Sequence, residues 1–541
     1  MRMRFVRYLT FVLCVATLAA GMAFWTRGPW AWRLAGVGGA LSLLGIRDLI
    51  QRGHSIQRNY PVIGHIRWIA ELVRPEIRQY LIEADEDAAP FSRSQRSLVY
   101  QRAKGEAGEH PFGTLLDVYR DGYEFIAHSM RPALATDPAS FRITIGNSQC
   151  AQPYSASVFN ISAMSFGALS ANAIRVLNIG AKAGGFYHDT GEGSISPYHR
   201  EGGGDIVWEV ASGYFGCRTD DGHFDPGKFA AQARTDQVRM IEIKLSQGAK
   251  PGHGGVLPAA KVTHEIAETR GVPMGQDCIS PSRHSAFSTP REMMGFITQL
   301  RELSGGKPVG FKLCIGHPWE FMGIVKAMLE TGVRPDFIVV DGGEGGTGAA
   351  PTEFSDHIGA PMREGLLFVH NTLVGAGVRR DIKVGAAGKV VSAFDIASLL
   401  AIGADWTNAA RGFMFALGCV QSLSCNTNRC PTGVATQDPL RQKALVAPDK
   451  SVRVANFHRQ TLRALADMLA AAGLEHPDQL DARHLVRRVS ATEIRQFADL
   501  HLFLKPDELV TGACEDGFYR QHWTRASADS FDGTSATGGS V

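Results

Sequence analysis

The chain of 541 residues has almost no excess of charge of one sign. Lysine and arginine number 56 and aspartate and glutamate number 53, which gives a net charge of +3. This balance gives no reason to expect nucleic acid or a strongly acidic partner. The nine cysteines are an odd number spread along the chain. They do not form the pattern of a disulfide framework, and they favour a reducing cytosol.

Common nucleotide and metal motifs are missing as well. There is no Walker loop, and the glycine run at Gly202–Asp205 does not stand between a strand and a helix. An intrinsic nicotinamide site is therefore not predicted. His253, His284 and His317 are not spaced as zinc ligands, and we interpret them as loop residues.

Two apolar stretches, Phe5–Trp25 and Trp30–Ile46, stand at the start of the chain with arginines on both flanks. About 20 apolar residues can span a bilayer, and basic flanks favour the cytoplasmic side. The pattern predicts a transmembrane helical hairpin over 1–50, an inner or plasma membrane location and a cytoplasmic catalytic domain. The alternative is a cleaved signal peptide, which the second stretch and the lack of an Ala-x-Ala site disfavour.

Beyond the hairpin the chain divides by its periodicity. We predict a helical N-terminal extension over 51–145, a catalytic α/β region over 146–446, a helical segment over 447–525 and a disordered tail over 526–541. In the catalytic region, short apolar strands alternate with helices, which indicates a parallel α/β sheet. Glycines cluster directly after the strands, where an α/β barrel keeps its active-site loops.

The glycine-rich loops are candidates for binding a phosphate-bearing cofactor. In barrels the loops after the last two strands commonly hold a phosphate, and glycine lets the backbone approach a ligand closely. The alternative is turn glycines with a solvated arginine. Six residues share a place in a loop after a strand: Gly345, Gly346, Gly388, Lys389, Arg411 and Gly412.

Three lysines are candidate catalytic residues. Lys312 lies inside an apolar strand, where a lysine is costly to bury without a partner. A cation there could stabilise negative charge on a reduced flavin. Lys244 stands in a similar strand, and Lys250 follows in a glycine-rich loop where it could hold an anionic substrate. The alternative for Lys312 is an outward-facing surface lysine.

Cys419, Cys425 and Cys430 form the densest group of cysteines, and a proline follows the last. Thiolates are soft ligands that favour iron–sulfur clusters, zinc and copper(I). A zinc site normally has four protein ligands, so three cysteines without a histidine favour a cluster that lacks one iron corner. A Cys-Pro end also occurs in ferredoxin-type runs. The group therefore indicates electron transfer.

The region from about Ser157 to Thr436 resembles the FMN-binding synthase domain of glutamate synthases. The flanks resemble membrane-tethered, stand-alone members of that family. The matching segments occur in the family's order: Ser162–Ser170, Thr190–Gly193, Ala211–Gly216, Ile241–Gly252, Gly345–Ala349 and Cys430–Val434.

The resemblance implies a (β/α)8 TIM barrel that holds FMN, with a [3Fe-4S] cluster on the three cysteines. Electrons would pass from the cluster to FMN, and 2-oxoglutarate with ammonia would be reduced through the imine to glutamate. Lys312 would face the pyrimidine edge of the flavin, and Lys244 and Lys250 would lie near the 2-oxo acid. The resemblance places the following residues at FMN: Met164, Ser165, Thr190, Ser212, Gly388, Lys389, Arg411 and Gly412.

The implied partners are a 2-oxo or imino acid, a ferredoxin-like or other electron donor, the membrane, and free ammonia or a separate glutaminase. The chain does not begin with the cysteine of a glutaminase domain. It also carries His253 where the family has glutamate, and its phosphate loop reads Gly388–Ser392 in place of the family's pattern. The alternatives are a related FMN barrel enzyme acting on another imine or in amine transfer, and a non-catalytic redox component of the membrane.

Overall fold

The computed structural model of the chain describes residues 6–86, 89–106, 108 and 111–534. The chain divides into two compact units, Met1–Arg93 and Ser94–Val541.

The N-terminal unit is helical. Its helices are Leu9–Ala23, Pro29–Ile50, Ser55–Asn59 and His65–Ile77, and a π-helical turn follows at Arg78–Ile82. The first two helices pack closely through glycine. A Cβ on Gly21 would lie 2.4 Å from the nitrogen of Ala35, and one on Gly38 would lie 2.5 Å from the nitrogen of Leu18.

The structure corrects the predicted transmembrane hairpin over 1–50. Among the described residues, no helix is both long enough and apolar enough to cross a membrane. The first helix has 15 residues, fewer than the roughly 20 that a bilayer core requires. The second has 22 residues but includes four glycines together with Arg33, Arg47 and Asp48. The prediction of an inner or plasma membrane location was wrong on this ground. Residues 1–5 lie outside the described part.

The C-terminal unit contains a closed barrel of eight parallel strands, which confirms the predicted barrel. In chain order the strands are β1 Phe159–Ile161, β2 His188–Asp189, β3 Ile206–Val210, β4 Val238–Lys244, β5 Val309–Leu313, β6 Phe337–Asp341, β7 Lys383–Ala387 and β8 Trp406–Ala409. Each strand pairs with the next, and β8 closes on β1 with Thr407 opposite Phe159.

An antiparallel hairpin accompanies the barrel. Its strands, Arg142–Ile145 and Tyr154–Ser157, pair with each other just before β1 begins. Ile145 and Tyr154 share one buried apolar cluster with Trp406 of β8 and Phe337 of β6. The first residues of β6 and β8 thus belong to this core, so the opposite, carboxyl-terminal ends of the strands are left for the loops that could hold ligands.

Helices surround the barrel, and two small antiparallel sheets complete the unit. The sheets are Glu124–Ile126 with Leu485–Arg488 and Ile494–Gln496, and Val256–Leu257 with Cys278–Ile279. The helices that belong to the barrel layer or lie next to it are Ala171–Gly184, Pro197–Glu201, Pro226–Ala233, His264–Arg270, Pro290–Leu303, Pro318–Thr331, Thr352–His357, Met362–Gly375, Ala393–Ala401 and Arg411–Leu417. The remaining helices are Arg93–Lys104, Pro439–Gln442, Ala447–Ala471, Phe497–Leu500, Glu508–Thr511 and Gly517–Arg525.

The segment after the barrel is fixed to it by the long helix Ala447–Ala471. The ring of His458 lies 3.0 Å from Ser157 Oγ, and Gly180 leaves room for Val454. In the predicted tail over 526–541, Ala526 and Ala528 are buried. Residues 535–541 of that tail lie outside the described part.

Candidate functional site

The loop after β6 brings predicted cofactor residues from three strands together. A Cβ on Gly346 would lie only 1.7 Å from Arg411 Nη2, so the guanidinium lies directly against this glycine. A Cβ on Gly412 would lie 3.1 Å from the carbonyl oxygen of Val390. The loops after β6, β7 and β8 therefore meet at one rim of the barrel, as expected for neighbouring strand ends.

Gly388 and Lys389 directly follow β7 at this rim, and Lys389 adopts a left-handed backbone with φ of 52°. Such a conformation is uncommon for a residue other than glycine and is often found where a ligand is bound. Arg411 begins the helix after β8, and burial lowers the pKa of its guanidinium while the nearby thiol of Cys425 opposes the change. The rim thus combines glycine backbone with one largely buried cation.

The cysteine loop lies against the same rim. A Cβ on Gly348 would lie 3.1 Å from Cys425 Cβ, so the loop after β6 touches the cysteine loop directly. Three residues of the cysteine loop that are not glycine adopt left-handed φ values between 54° and 61°: Gln421, Leu423 and Asn428. Left-handed residues of this kind persist only where surrounding contacts hold them.

Two distant side chains hold the cysteine loop. Tyr100 donates a hydrogen bond from its hydroxyl to the carbonyl oxygen of Cys419 at 2.6 Å. The buried Lys261 donates to the carbonyl oxygens of Cys425 at 2.9 Å, of Ala168 at 3.2 Å and of Ala435 at 3.2 Å. A positive charge therefore lies beside the loop, bonded to three carbonyl oxygens.

The three thiols differ in their tendency to ionise. Burial raises the pKa of the Cys419 thiol to about 11, and burial also raises the pKa of Cys425. At Cys430 burial acts in the same direction, but hydrogen bonds from Thr432 and from backbone N–H groups outweigh it and lower the pKa. Cys430 is thus the thiol most ready to act as a thiolate ligand.

A buried ion-pair cluster lies inside the barrel around Lys312 of β5. Its ammonium group donates to Glu209 of β3 and lies 3.1 Å from Glu242 Oε1 of β4, without an aligned hydrogen bond to that atom. Burial acts to lower the pKa of Lys312, but the two carboxylates outweigh it and raise the pKa well above the ordinary lysine value. Lys312 is therefore not an outward-facing surface lysine.

Burial shifts the pKa of three carboxyl groups at the cluster upwards, towards their protonated forms. Burial raises the pKa of Glu242 to about 7, with Lys312 opposing and Glu209 reinforcing the change. Burial also raises the pKa of Asp189 of β2 well above its ordinary value and raises that of Asp341 of β6. Carboxylates crowded in a low-dielectric interior cannot all ionise, so this cluster holds a proton near neutral pH.

Lys244, at the end of β4, pairs with a different carboxylate. Its Nζ lies 2.8 Å from Glu192 Oε2 and 4.0 Å from Glu209 Oε1. Burial acts to raise the pKa of Glu192, but Lys244 outweighs it and lowers the pKa to about 2. Lys250 is buried and donates to the carbonyl oxygen of Gly254 at 3.1 Å, and burial lowers its pKa. A small cavity of about 20 Å³ is lined by Lys244 and by the 252–255 loop.

The other residues predicted at the flavin lie near the carboxyl ends of β1, β2 and β3. Met164 is buried, and Ser165 Oγ lies 3.4 Å from Arg270 Nη2. The Thr190 hydroxyl accepts from the backbone of Glu209 at 3.1 Å, and Ser212 donates to the carbonyl oxygen of Pro281 at 2.5 Å. These positions surround the barrel mouth, and their contacts with a flavin stay a prediction.

Sequence reasoning missed the acidic side of the mouth. Asp189, Glu192, Glu209, Glu242 and Asp341 were not among the predicted site residues, although the structure gathers them around Lys312 and Lys244. The signal was present, because an acid within an apolar strand needs a partner as much as a lysine does. His284, interpreted as a loop residue, lies in a loop but is buried, with its ring 2.9 Å from the carbonyl oxygen of Lys244.

Comparisons with known protein sequences relate the chain to glutamate synthases. The family model described as "Conserved region in glutamate synthase" matches residues 117–475. A glutamate synthase large subunit-like protein, YerD of Bacillus subtilis, is 39% identical over 483 residues, which cover 82% of this chain and 91% of the relative. An archaeal-type glutamate synthase (NADPH) of Thermotoga maritima is 34% identical over 327 residues, covering 60% of this chain and 61% of that protein.

Two solved flavoprotein structures have a low level of similarity to the chain. A mandelate oxidase mutant with a monooxide FMN adduct has a TM-score of 0.38 and 15% identity, and the alignment covers 80% of this chain and 99% of that one. A flavocytochrome b2 mutant with benzoylformate has a TM-score of 0.42 and 12% identity, covering 83% of this chain and 97% of that one. These scores are too low to carry an argument about function.

Proposed function

The chain belongs to the glutamate synthase family, and we propose that its barrel reduces a 2-imino acid with electrons relayed from an iron–sulfur cluster to FMN. It is an oxidoreductase of the class that acts on CH–NH2 donors. The preferred substrate pair is 2-oxoglutarate and ammonia, which condense with loss of water and take up two electrons and two protons to give glutamate. The electron donor would be a ferredoxin-like or other redox protein.

The rim formed by the loops after β6, β7 and β8 fits FMN. The close approach of Gly346 to the guanidinium of Arg411 leaves no room for a side chain there, and Lys389, in the loop after β7, has a left-handed backbone. Gly388, Lys389, Arg411 and Gly412 would hold the phosphate through backbone N–H groups and one charge. FMN, when bound, supplies hydride transfer to the imine carbon and accepts single electrons.

The cysteine loop fits a multinuclear cluster better than one metal ion. A tetrahedral zinc with Zn–S bonds of about 2.3 Å would draw its sulfur ligands to within roughly 4 Å of one another. Among the described residues, three metal-ligating atoms within 4.8 Å of one another occur at Asp189, Glu209 and Glu242, and not at the three cysteines. Cys419, Cys425 and Cys430 could each bind one iron of a [3Fe-4S] cluster without such an approach.

The contact between the cysteine loop and the loop after β6 is the observation that carries the proposal. Gly348 and Cys425 lie side by side, and Arg411 lies against Gly346 in the same loop. A cluster on the cysteines and a flavin on the glycine rim would therefore be close neighbours, which a structural metal site would not require. Proximity of this kind favours electron transfer.

At the substrate side, the residues of the chain can hold charge and supply a proton. Lys244 lines the small cavity beside the 252–255 loop, Lys250 donates to Gly254 of that loop, and both could bind the carboxylates of a 2-oxo acid. Both now contact oxygen atoms of the protein, so a substrate carboxylate would have to replace or share those partners. Glu242, whose pKa burial raises to about 7, can carry a proton at neutral pH.

The test is purification of the full chain without oxygen, followed by measurement of bound FMN, iron content and electron paramagnetic resonance. We expect a flavin spectrum, the signal of a three-iron cluster and turnover of 2-oxoglutarate with ammonia when a chemical reductant is supplied. A colourless protein without iron would contradict the proposal. Turnover of other 2-oxo acids but not of 2-oxoglutarate would keep the cofactors and overturn the substrate.

A cysteine variant gives the sharpest single result. Cys425→Ser should abolish the three-iron signal and the entry of electrons while leaving FMN bound, because the serine removes one thiolate ligand. Cys150→Ser is the matched control, since Cys150 lies outside the cysteine loop and contacts the carbonyl oxygen of Gly306. Equal cluster signals in the two variants would overturn the ligand assignment.

A further inference from the structure

Lys261 is a buried cation that the proposed reaction does not use. It ends the short helical turn Ala259–Lys261, which follows the strand Val256–Leu257 of one of the small antiparallel sheets. The residue is only 3% exposed. A lysine is almost never buried to this extent unless a partner compensates its charge, so the identity of that partner is a question the structure raises.

The hydrogen bonds of Lys261 are complete, but its charge is not compensated by an acid. An ammonium group has three donors, and Nζ meets the carbonyl oxygens of Ala168, Cys425 and Ala435 at 2.9–3.2 Å. In the described part of the chain, however, Lys261 forms no ion pair with a carboxylate, whereas Lys312 of β5 pairs with two. Buried charges are normally paired, and carbonyl groups carry no net charge.

The cysteine loop can supply the missing anion. Lys261 bonds to the backbone of Cys425 itself. Burial lowers the pKa of Lys261, and the thiols of Cys425 and Cys430 oppose this change, so both sulfur atoms lie within electrostatic reach of the ammonium group. Cysteines bind metals as thiolates, and a cluster on this loop would therefore carry negative charge beside Lys261.

Arg411 also interacts with thiols of this loop, but a different anion is proposed for it. Its guanidinium lies against Gly346, at the rim proposed to hold the flavin phosphate. That phosphate would compensate the charge of Arg411. The three acceptors of Lys261 lie elsewhere, in the loop after β1 and in the segment 425–435.

Lys261 also joins the cysteine loop to the loop after β1. Ala168 belongs to the loop that carries residues predicted at the flavin, among them Met164. Gln437 strengthens this junction, because its Nε2 donates to the carbonyl oxygens on both sides of Ala168, each at 3.0 Å. The ammonium group is therefore held in a fixed position relative to both loops.

We propose that Lys261 is the counter-ion of the iron–sulfur cluster and raises its reduction potential. This inference rests on the proposed function, since it concerns the same cluster. Reduction by the donor adds one electron, and hence one negative charge, which leaves again when the electron passes to FMN. A fixed positive charge stabilises the reduced form more than the oxidised form. Lys261 is thus a positioning residue that acts through its charge and forms no bond to iron.

The experiment is a redox titration of the cluster, followed by electron paramagnetic resonance, on the full chain purified without oxygen. Lys261→Gln removes the charge but keeps an amide that can donate to the carbonyl oxygens. We expect the equilibrium constant for reduction of the cluster to fall by about tenfold or more, which for one electron is a shift of about 59 mV towards negative potential. An unchanged potential in a variant that retains the cluster overturns the proposal.

Two further variants separate charge from packing. Lys261→Arg keeps the charge and should keep the cluster at a potential close to that of the unaltered protein. Lys307→Gln is the matched control, because Lys307 is also buried and donates only to carbonyl oxygens, those of Ala233 and Thr235. Lys307 precedes β5, at the end of the barrel opposite the cysteine loop, and its replacement should leave the potential unchanged. An equal shift in Lys307→Gln overturns the proposal.

Iron content separates this inference from the proposed function. An unaltered protein without iron contradicts the proposed function itself. Where the unaltered protein holds the cluster, loss of the cluster from folded Lys261→Gln together with its retention in Lys261→Arg supports the counter-ion. If Lys261→Gln does not fold, as judged by circular dichroism, Lys261→Arg carries the test. Loss of the cluster from the folded arginine variant would show that packing and not charge is required, and would overturn the inference alone.

Discussion

The two sides of the barrel mouth are built in different ways. The side formed by the loops after β6, β7 and β8 uses glycine backbone, one largely buried arginine and the cysteine loop. The side formed by β2 to β5 uses buried ionisable side chains that belong to the strands themselves, with Lys312 between Glu209 and Glu242. The first side is shaped to approach a ligand closely, and the second is shaped to hold charge and protons out of water.

The two sides of the mouth therefore have different physical requirements for their structure. A glycine loop is limited by space, so adding one methyl group disturbs it. A buried ion-pair cluster is limited by charge balance, so removing one partner leaves the others uncompensated. Variants on the acidic side should therefore change stability and its pH dependence, whereas variants on the glycine side should change the binding of cofactors.

The largest effect on stability is expected for Lys312→Met. This change leaves Glu209 and Glu242 buried without their cation and should lower the free energy of unfolding by about 3–5 kcal/mol. Urea denaturation measures it, with the exposed Lys182→Met as the control. A loss below about 1 kcal/mol would mean that solvent or rearrangement compensates the carboxylates.

The second prediction concerns the pH dependence of the free energy of unfolding that arises from Glu242. Because burial raises its pKa from 4.5 to about 7 in the folded chain, its stabilising contribution is complete below pH 4.5 and is lost as the pH rises through 7. The difference corresponds to on the order of 3 kcal/mol. Urea denaturation across this range should show the decline, and Glu242→Gln should reduce it, while Asp189 and Asp341, whose pKa values burial also raises, keep the remainder.

The matched control for that slope is Glu192. Burial acts to raise its pKa, but Lys244 outweighs burial and lowers the pKa from 4.5 to about 2. Its contribution to stability is therefore present above pH 4.5 and lost as the pH falls towards 2, the opposite direction to Glu242. Glu192→Gln should flatten only this acid limb. Identical pH profiles for the two variants would contradict the assignment of separate charge environments.

On the glycine side, Gly346→Ala should weaken FMN binding by about tenfold or more, because its Cβ would displace the guanidinium of Arg411. Fluorescence titration of the flavin measures the change. Gly316→Ala is the control, since a Cβ there meets nothing within 4 Å. If Gly346→Ala binds FMN normally but has a lower free energy of unfolding, Gly346 supports the fold and not the cofactor. The two sides of the mouth would then not differ in the way described.

The smallest expected effect is that of Tyr100→Phe. The change removes the hydrogen bond to the carbonyl oxygen of Cys419 and should cost about 1 kcal/mol in the stability of the cysteine loop. Iron should then be released faster during dialysis against a chelator. Tyr119→Phe, at an exposed position, is the control. Equal rates of iron release would show that the loop does not depend on this contact.

The sequence was a good guide to one side of the mouth and a poor guide to the other. Gly345, Gly388 and Arg411 stand in continuous motifs, so their common rim could be predicted from order along the chain. Glu209 and Glu242 stand singly in apolar strands, and only closure of the barrel brings them to Lys312. The reasoning that singled out Lys312 applied equally to these acids and was not extended to them.

Strands showed the same limitation. The apolar strands around Lys244 and Lys312, now β4 and β5, were recognised, whereas β2 has two residues, His188–Asp189, too few to carry a periodic pattern. The prediction of a transmembrane hairpin was wrong for a different reason, because apolar composition alone does not show how many residues one helix contains.

The long-range contacts of the cysteine loop limit when, during folding, the loop can take its final shape. Its shape depends on Tyr100, which lies 319 residues earlier in the chain, and on Lys261, 164 residues before Cys425. During synthesis neither contact can form until the barrel strands between them have closed. We therefore expect iron to be inserted late, after the barrel has folded. A chain truncated before Cys419 should fold only partly and bind no iron.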